Sequence, residues 1–346
     1  MGHHHTSRRS LIKAGVAGLT AIGMPSIVRA QSLKSSRPLS VLLDWVHNGP
    51  NSGFIVAKEK GFFADAGFDA TMTQGKGSTT TCQLVASKVA QVGFADGFVV
   101  GGSVSKGMPL VMVGGVMRLN PTAIVVLEES GIKTPKDLEG KSLALIPGTT
   151  QTQQWPGFAK KAGLDISKVR PVNIDPAGGM RALLSGQVDA YAVYVSSVMG
   201  TLELVAKKNV KVFRYADHGV ASVSNGIVVH RDMLSEPELV RAAVRASLSG
   251  FLYGRAHPDE LGQIIKKNLE STDPQVEIRN AEWAWSCWVT PNTANKPLGW
   301  MADADWGSTV DLLKAYGGAS ETLEAKSLFT NEFVPTGAEF IPPQKV

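Results

Sequence analysis

The chain has 346 residues, 43% hydrophobic and 19% charged, with 7 Trp, 12 Phe and 5 Tyr. That is core material for one large or two ordinary domains and excludes a disordered chain, while no stretch approaches the roughly 18 uninterrupted apolar residues of a membrane-spanning helix. The formal net charge of +5 is carried by the first thirty residues, which hold Arg8, Arg9, Lys13 and Arg29 and no acid, so that 31 basic residues face 30 acidic ones from Gln31 onward; a body so nearly neutral has no electrostatic reason to seek nucleic acid or anionic lipid.

In chain order, Ser7-Arg8-Arg9-Ser10-Leu11-Ile12-Lys13 opens a short apolar stretch, Ala14 to Met24, that ends at Val28-Arg29-Ala30. A charged start, an apolar middle and a small-residue exit describe a secretory signal, and the paired arginines mark the twin-arginine kind. The expectation is a signal over residues 1–30, cleavage after Ala30 and a periplasmic mature protein. His3, His4 and His5 fall in that discarded segment and carry no weight.

From Leu39 short apolar runs alternate with helical patterns. Strands are expected at Ser40 to Leu43, Ala70 to Thr73, Val92 to Ala95, Pro109 to Val116 and Ile124 to Leu127, with helices at Ser52 to Lys60 and Ser78 to Lys88 between them. The rhythm then restarts, with strands at Lys141 to Ile146, Val169 to Asn173, Ala190 to Tyr194, Val210 to Tyr215 and Ile227 to Val229, and helices at Gln151 to Ala162 and Gly178 to Ser185. Such alternation predicts α/β units with mostly parallel sheets. Beyond Pro237 four helical segments follow. The expected organisation is one lobe over 31–120, a second over 121–224, and a helical portion, 225–346, returning to the first. Two chain crossings, near Asn120-Pro121-Thr122 and Ser224-Asn225-Gly226, then form a hinge with a cleft between the lobes. Ligands of such sheets sit at the carboxyl ends of the strands.

The strand-end loops carry the candidate chemistry. Asp44 to Gly53 offers an indole and several amides, while its Gly and Pro read equally as turn residues. Gly75 to Thr80 and Pro147 to Gln151 are glycine loops entering helices with hydroxyls in the first turn. Free N–H groups there suit an anionic or strongly polar group, and the same hydroxyls serve equally as N-caps. Catalytic and phosphate patterns fail. Gly140-Lys141-Ser142 lacks the upstream glycine of a P-loop, which is Pro135 here, and no G-x-S-x-G elbow or histidine ligand spacing occurs. Catalytic, metal and cofactor residues are therefore all expected to be none. Cys82 and Cys287 show no metal spacing and are read as two separate buried thiols in preference to a disulfide. Trp285 and Trp288, three apart in a predicted helix, share a face and read as core, with Trp285 kept as a candidate for the cleft rim.

Leu43-Asp44-Trp45, Gly53 to Phe63, Val92 to Asp96, Gly131 to Lys141 and Leu183 to Tyr191, taken in order, resemble the periplasmic solute-binding proteins of ABC importers whose members bind thiamine pyrimidine precursors, sulfonates, taurine or nitrate. The Asp-Trp opening is most similar to the pyrimidine-precursor branch. That branch includes fungal enzymes that consume a histidine and carry a cysteine-rich motif; Asn51 falls where that histidine would stand, and the cysteines are missing. The resemblance implies a type II-like two-lobed fold and a monomeric, non-enzymatic receptor. It would close on a small polar organic molecule and deliver it to an ABC permease and ATPase. The alternatives are a receptor for a small anion (a sulfonate, carboxylate or nitrate) and an enzyme of pyrimidine synthesis on the same scaffold. Carried onto this chain, the implied pocket draws on Asp44, Trp45, Asn48, Asn51, Ser78, Thr79, Asp96 and Arg118 from the first lobe, and on Thr149, Thr150, Tyr191, Tyr194 and Asn225 from the second lobe and its crossing.

Overall fold

The computed structural model describes residues 36–175 and 178–343, so the expected signal and its cleavage point lie outside the described residues. The first sheet is built from β1 (Arg37–Leu42), β2 (Phe68–Thr73), β3 (Val92–Asp96), β4 (Leu110–Gly115) and β10 (Asn225–His230). The second takes β5 (Thr122–Leu127), β6 (Ser142–Leu145), β7 (Arg170–Asn173), β8 (Ala190–Tyr194) and β9 (Val210–Arg214). The helices are α1 (Gly53–Glu59), α2 (Phe62–Asp65), α3 (Ser78–Ala86), α4 (Gly97–Ser105), α5 (Thr150–Lys161), α6 (Gly179–Leu184), α7 (Pro237–Ala256), α8 (Pro258–Asn268), α9 (Pro274–Trp285) and α10 (Asp303–Tyr316).

The strand orders are β2-β1-β3-β10-β4 and β7-β6-β8-β5-β9. Each sheet is parallel except for one strand: β10 runs antiparallel to β3 and β4, and β5 antiparallel to β8 and β9. These are the two strands that directly follow a crossing. The parallel strands all end toward the cleft, so a chain that leaves one lobe there must enter the other from the same end and run away from it. That geometry sets Asn225, the first residue of β10, opposite Asp96, the last of β3, and Thr122 opposite Tyr194.

The crossings lie side by side. Asn120 N donates to Ser222 O at 3.0 Å, the Asn120 amide donates to Gln154 Oε1 at 3.0 Å, and Gln154 Nε2 donates to Ser222 Oγ at 2.8 Å. One apolar core, including Phe54, Phe94, Phe251 and Trp288, fills the α1/α7 side of the first sheet. A second runs from the α3/α4 side of that sheet through α10 to α5 and the second sheet, joining both lobes through Phe98, Leu313, Trp306 and Phe158. The lobes thus share an apolar core on the α10 side.

Candidate functional site

A cavity of about 230 Å³ lies where strand ends from both sheets converge. After β1 come Asp44, Trp45, Asn48, Pro50 and Asn51; α3 contributes Gly77 and Ser78, and the crossings Met117 and Asn225. The second lobe supplies Ile146, Thr149, Thr150 and Gln151 before and within α5, Met180 of α6, and Tyr191, Val193, Tyr194, Ser197, Val198 and Thr201 from β8 onward. No Lys, Arg or His is among these residues, and Asp44 is their one carboxylate.

The loop bearing Asp44 is held by its own backbone. Gly77 N donates to Asp44 O at 2.6 Å and Gly75 N to Trp45 O at 3.1 Å. Any Cβ at Gly75 would collide with the main chain of Leu43 and Asp44, so glycine is required for this approach. Asn51 N donates to the Asn48 side-chain oxygen at 3.3 Å, and Asn51 Nδ2 to Val46 O at 3.2 Å. The Asp44 carboxylate itself takes Asn225 Nδ2 at 2.6 Å and Ser78 Oγ at 3.1 Å on Oδ2, leaving on Oδ1 only a long 3.5 Å approach from Asn51 Nδ2. Burial pushes its pKa up from 3.8 to about 6 against those hydrogen bonds, with nearby Asp96 adding to the rise.

Asp96, fully buried, stands behind the wall. Its Oδ1 caps α4 by accepting from Phe98 N at 3.0 Å and Val99 N at 3.3 Å, while Oδ2 accepts from Tyr194 OH, across the cleft, at 2.7 Å. Burial raises the pKa of Asp96 and, with the adjacent carboxylate, holds Tyr194 well above the usual phenol range. Tyr191, on the same strand, is pushed up to about 12 by burial, and its ring occupies the space that a side chain at Gly179 would fill.

The two glycine-loop helices open on the cavity without side-chain caps. Gly77 precedes α3 and Thr149 precedes α5, and neither donates a capping oxygen. The hydroxyls read from sequence as possible caps bond elsewhere: Ser78 Oγ to Asp44, and Thr149 Oγ1 to Ile146 O at 2.7 Å. Thr79 Oγ1 donates to Gly148 O at 3.0 Å, from one lobe to the other.

Of the expected pocket residues, Asp44, Trp45, Asn48, Asn51, Ser78, Thr149, Thr150, Tyr191, Tyr194 and Asn225 are brought together on the wall; Thr79, Asp96 and Arg118 are not. Thr79 is turned to the inter-lobe contact, and Asp96 is consumed by its helix and Tyr194. Arg118 is drawn away from the cleft, its guanidinium donating to the carbonyls of Trp288, Pro297 (3.0 Å) and Trp300 (3.2 Å), with burial lowering its pKa to about 10. Trp285 is also off the wall, edge-on to Trp288 in the core. Outside the loops it singled out, sequence reading missed Met117, Ile146, Met180, Val193, Ser197, Val198 and Thr201. Only the stretch from Ser197 to Thr201 carried a signal, its place just after a strand end. Cys82 and Cys287 are free and buried. Among the described residues no group of three or more His, Cys, Asp or Glu is placed to hold a metal ion.

Comparison with known proteins adds three findings. The family model described as NMT1/THI5 like matches residues 48–261. The formylaminopyrimidine-binding protein of Halalkalibacterium halodurans is 24% identical over 298 residues, covering 85% of this chain and 89% of its own, and the 4-amino-5-hydroxymethyl-2-methylpyrimidine phosphate synthase of Legionella pneumophila is 24% identical over 240 residues, covering 68% and 74%. Among solved structures, the periplasmic aliphatic sulphonate binding protein SsuA of Escherichia coli superposes with a TM-score of 0.66 at 16% identity, over 90% of this chain and 94% of that one. At that identity the likeness establishes the fold, the two-lobed α/β arrangement of periplasmic binding proteins.

Proposed function

The chain belongs to the NMT1/THI5-like family, and from that premise we propose that it is a periplasmic solute-binding receptor. It would capture a small polar heterocycle of pyrimidine type between its lobes and pass it to an ABC permease and ATPase. The observation that carries this reading is the cavity wall: Trp45 and two tyrosines for stacking, amides and hydroxyls for polarity, one carboxylate and no cationic side chain. The formylaminopyrimidine-binding relative, matched along most of both chains, supports the same class. The synthase relative supports the enzymatic alternative, but the resemblance to the fungal enzymes puts Asn51 where their consumed histidine would stand, and its amide is tied to its own loop. The anion alternative has its own support in the two uncapped helix starts, α3 and α5, one from each lobe. Against it stands Asp44, a carboxylate on the same wall. Twin-arginine export, cleavage after Ala30 and a monomeric mature protein complete the proposal.

The test is native mass spectrometry of the exported protein from cells expressing the full chain, followed by denaturation and small-molecule analysis, and by titration with pyrimidines, sulfonates and nitrate. A retained or titrated heterocycle, recovered unchanged, is the expected result, with Gln31 as the first residue. Binding of anions alone overturns the heterocycle, and turnover of the bound molecule overturns the receptor.

A further inference from the structure

The wall of the cavity poses a question that its structural role does not answer. Asp44 is more than nine-tenths buried, yet its two close hydrogen bonds, both on Oδ2, are ones an asparagine oxygen would accept. Its backbone, through Gly77 N, positions the loop; its Oδ2 accepts from Asn225 and Ser78. Ser78 Oγ in turn accepts from Asp96 N at 3.1 Å, so its proton is committed to Asp44, and Asn225 accepts from Ser224 Oγ at 3.1 Å. These groups are neutral donors from three elements: α3, β10 and the Asn48–Asn51 turn. The nearby charge, Asp96, is of the same sign and is already satisfied by its helix cap and Tyr194. A carboxylate held out of water without a counter-charge is costly, and a folded chain keeps one when something else supplies the partner. The under-used oxygen, Oδ1, belongs to a residue on the cavity wall.

We propose that Asp44 supplies the counter-charge for the ligand, which is a nitrogen base setting a cationic or polarised amino N–H edge on Asp44 Oδ1 and turning its acceptor atoms toward the uncapped starts of α3 and α5. This rests on the receptor reading above and sharpens it from polar heterocycles to amino-bearing ones. It also accounts for the mixed electrostatics of the site: helix starts suit an acceptor on one edge of the ring, and Asp44 a donor on the other. Asp44 is thus a specificity-determining residue that selects against anions which the helix starts alone would accept.

Isothermal titration of the exported protein with matched pairs tests this. The pairs are aminopyrimidines and aminopyridines with the same rings lacking the amino group, alongside ethanesulfonate and nitrate. We expect at least one amino compound to bind tenfold or more tighter than its deamino partner, and Asp44→Asn to reduce that gap to less than threefold. The comparison of ligands in the wild-type protein stands even where the variant fails to fold. Equal binding within every pair overturns the role of Asp44 and leaves the heterocycle receptor intact. Binding of the anions alone, or of no base at millimolar concentration, overturns both.

Discussion

Asp44→Asn has a consequence for the unliganded protein that is opposite in sign to its effect on binding. A carboxyl whose pKa is 3.8 in the unfolded chain and about 6 in the fold holds its proton more tightly when folded. Between those values the folded state binds more protons than the unfolded one, so stability falls as pH rises from about 4 to about 6 and stays low above it. The full swing is about 3 kcal/mol at roughly 1.4 kcal/mol for each pKa unit. Asparagine keeps one oxygen for both Asn225 and Ser78 and removes the charge, at the loss of about 1 kcal/mol from weaker hydrogen bonding and the forfeited Asn51 approach. The net expectation at pH 7 is a gain of about 2 kcal/mol, or about 4 °C for a protein of this size. At pH 4 the gain vanishes, because the wild-type carboxyl is then protonated in the fold. The assay is thermal unfolding of ligand-free wild type and variant in parallel from pH 4 to pH 8. A variant less stable than wild type at pH 7, or a difference that does not change with pH, would refute the reasoning and make Asp44 a structural residue.

Trp45, half-buried on the cavity wall, should on substitution to alanine weaken ligand binding by about 1–3 kcal/mol, the range for loss of a stacking aromatic; the unliganded melting temperature should stay put, and a large drop would return Trp45 to the core. Arg118→Met removes the donor shared by the carbonyls of Trp288, Pro297 and Trp300 and should destabilise the protein by about 3 kcal/mol in denaturant unfolding, while the folded variant binds ligand as wild type does; lost affinity with an unchanged unfolding midpoint would restore Arg118 to the site. Cys82 and Cys287 are buried and free, and burial pushes the Cys82 thiol up to about 12. A thiol reagent should therefore titrate no sulfur in the native protein and two in denaturant.

Most strands were legible because they are buried on both faces and read as continuous apolar runs: β5 (Thr-Ala-Ile-Val-Val-Leu) has no exposed residue. The direction of β5 and β10 was not, since an apolar run carries no sign, and only the place of the crossings decides it. Helix α4 went unread for a local reason. Its Gly-Phe-Val-Val-Gly-Gly-Ser-Val-Ser has three glycines, three β-branched valines and no amphipathic period; it forms because Asp96 caps it and both sheet and α10 bury it. That omission misplaced Asp96 in turn. Asp44 and Asp96 both follow a strand and look alike in sequence, and only the unseen helix distinguishes the carboxylate that caps from the one that faces the cavity. The apolar wall was illegible for a related reason, since Met117, Ile146, Met180 and Val198 differ from core residues only in having a void on one side. Arg118 needed the tertiary path of residues 288–300, which no local pattern encodes.

The same segments that line the cavity also join the lobes. Helix α9 straps the cleft: Glu277 accepts from Gly49 N at 2.7 Å on the first lobe, while Asn280 accepts from Gly200 N at 2.9 Å and Arg279 pairs with Glu203 at 2.6 Å on the second. Gly49 lies between Asn48 and Pro50, and Gly200 and Glu203 flank Thr201, all three of those neighbours being cavity residues. A side chain at Gly200 would strike Val276 O, so the strap can lie down only on glycine. These polar contacts are each worth about 1 kcal/mol, and the ion pair is partly exposed. Against them, this arrangement holds both Asp44 and Asp96 out of water. Asp96 is compensated by Tyr194 OH from the opposite lobe; among the described residues Asp44 has no charged partner of opposite sign. With the cavity empty, this arrangement sets a few weak contacts against an uncompensated carboxylate. The cationic ligand proposed above would offset that term, so the balance between open and closed lobes would follow the occupant of the cleft.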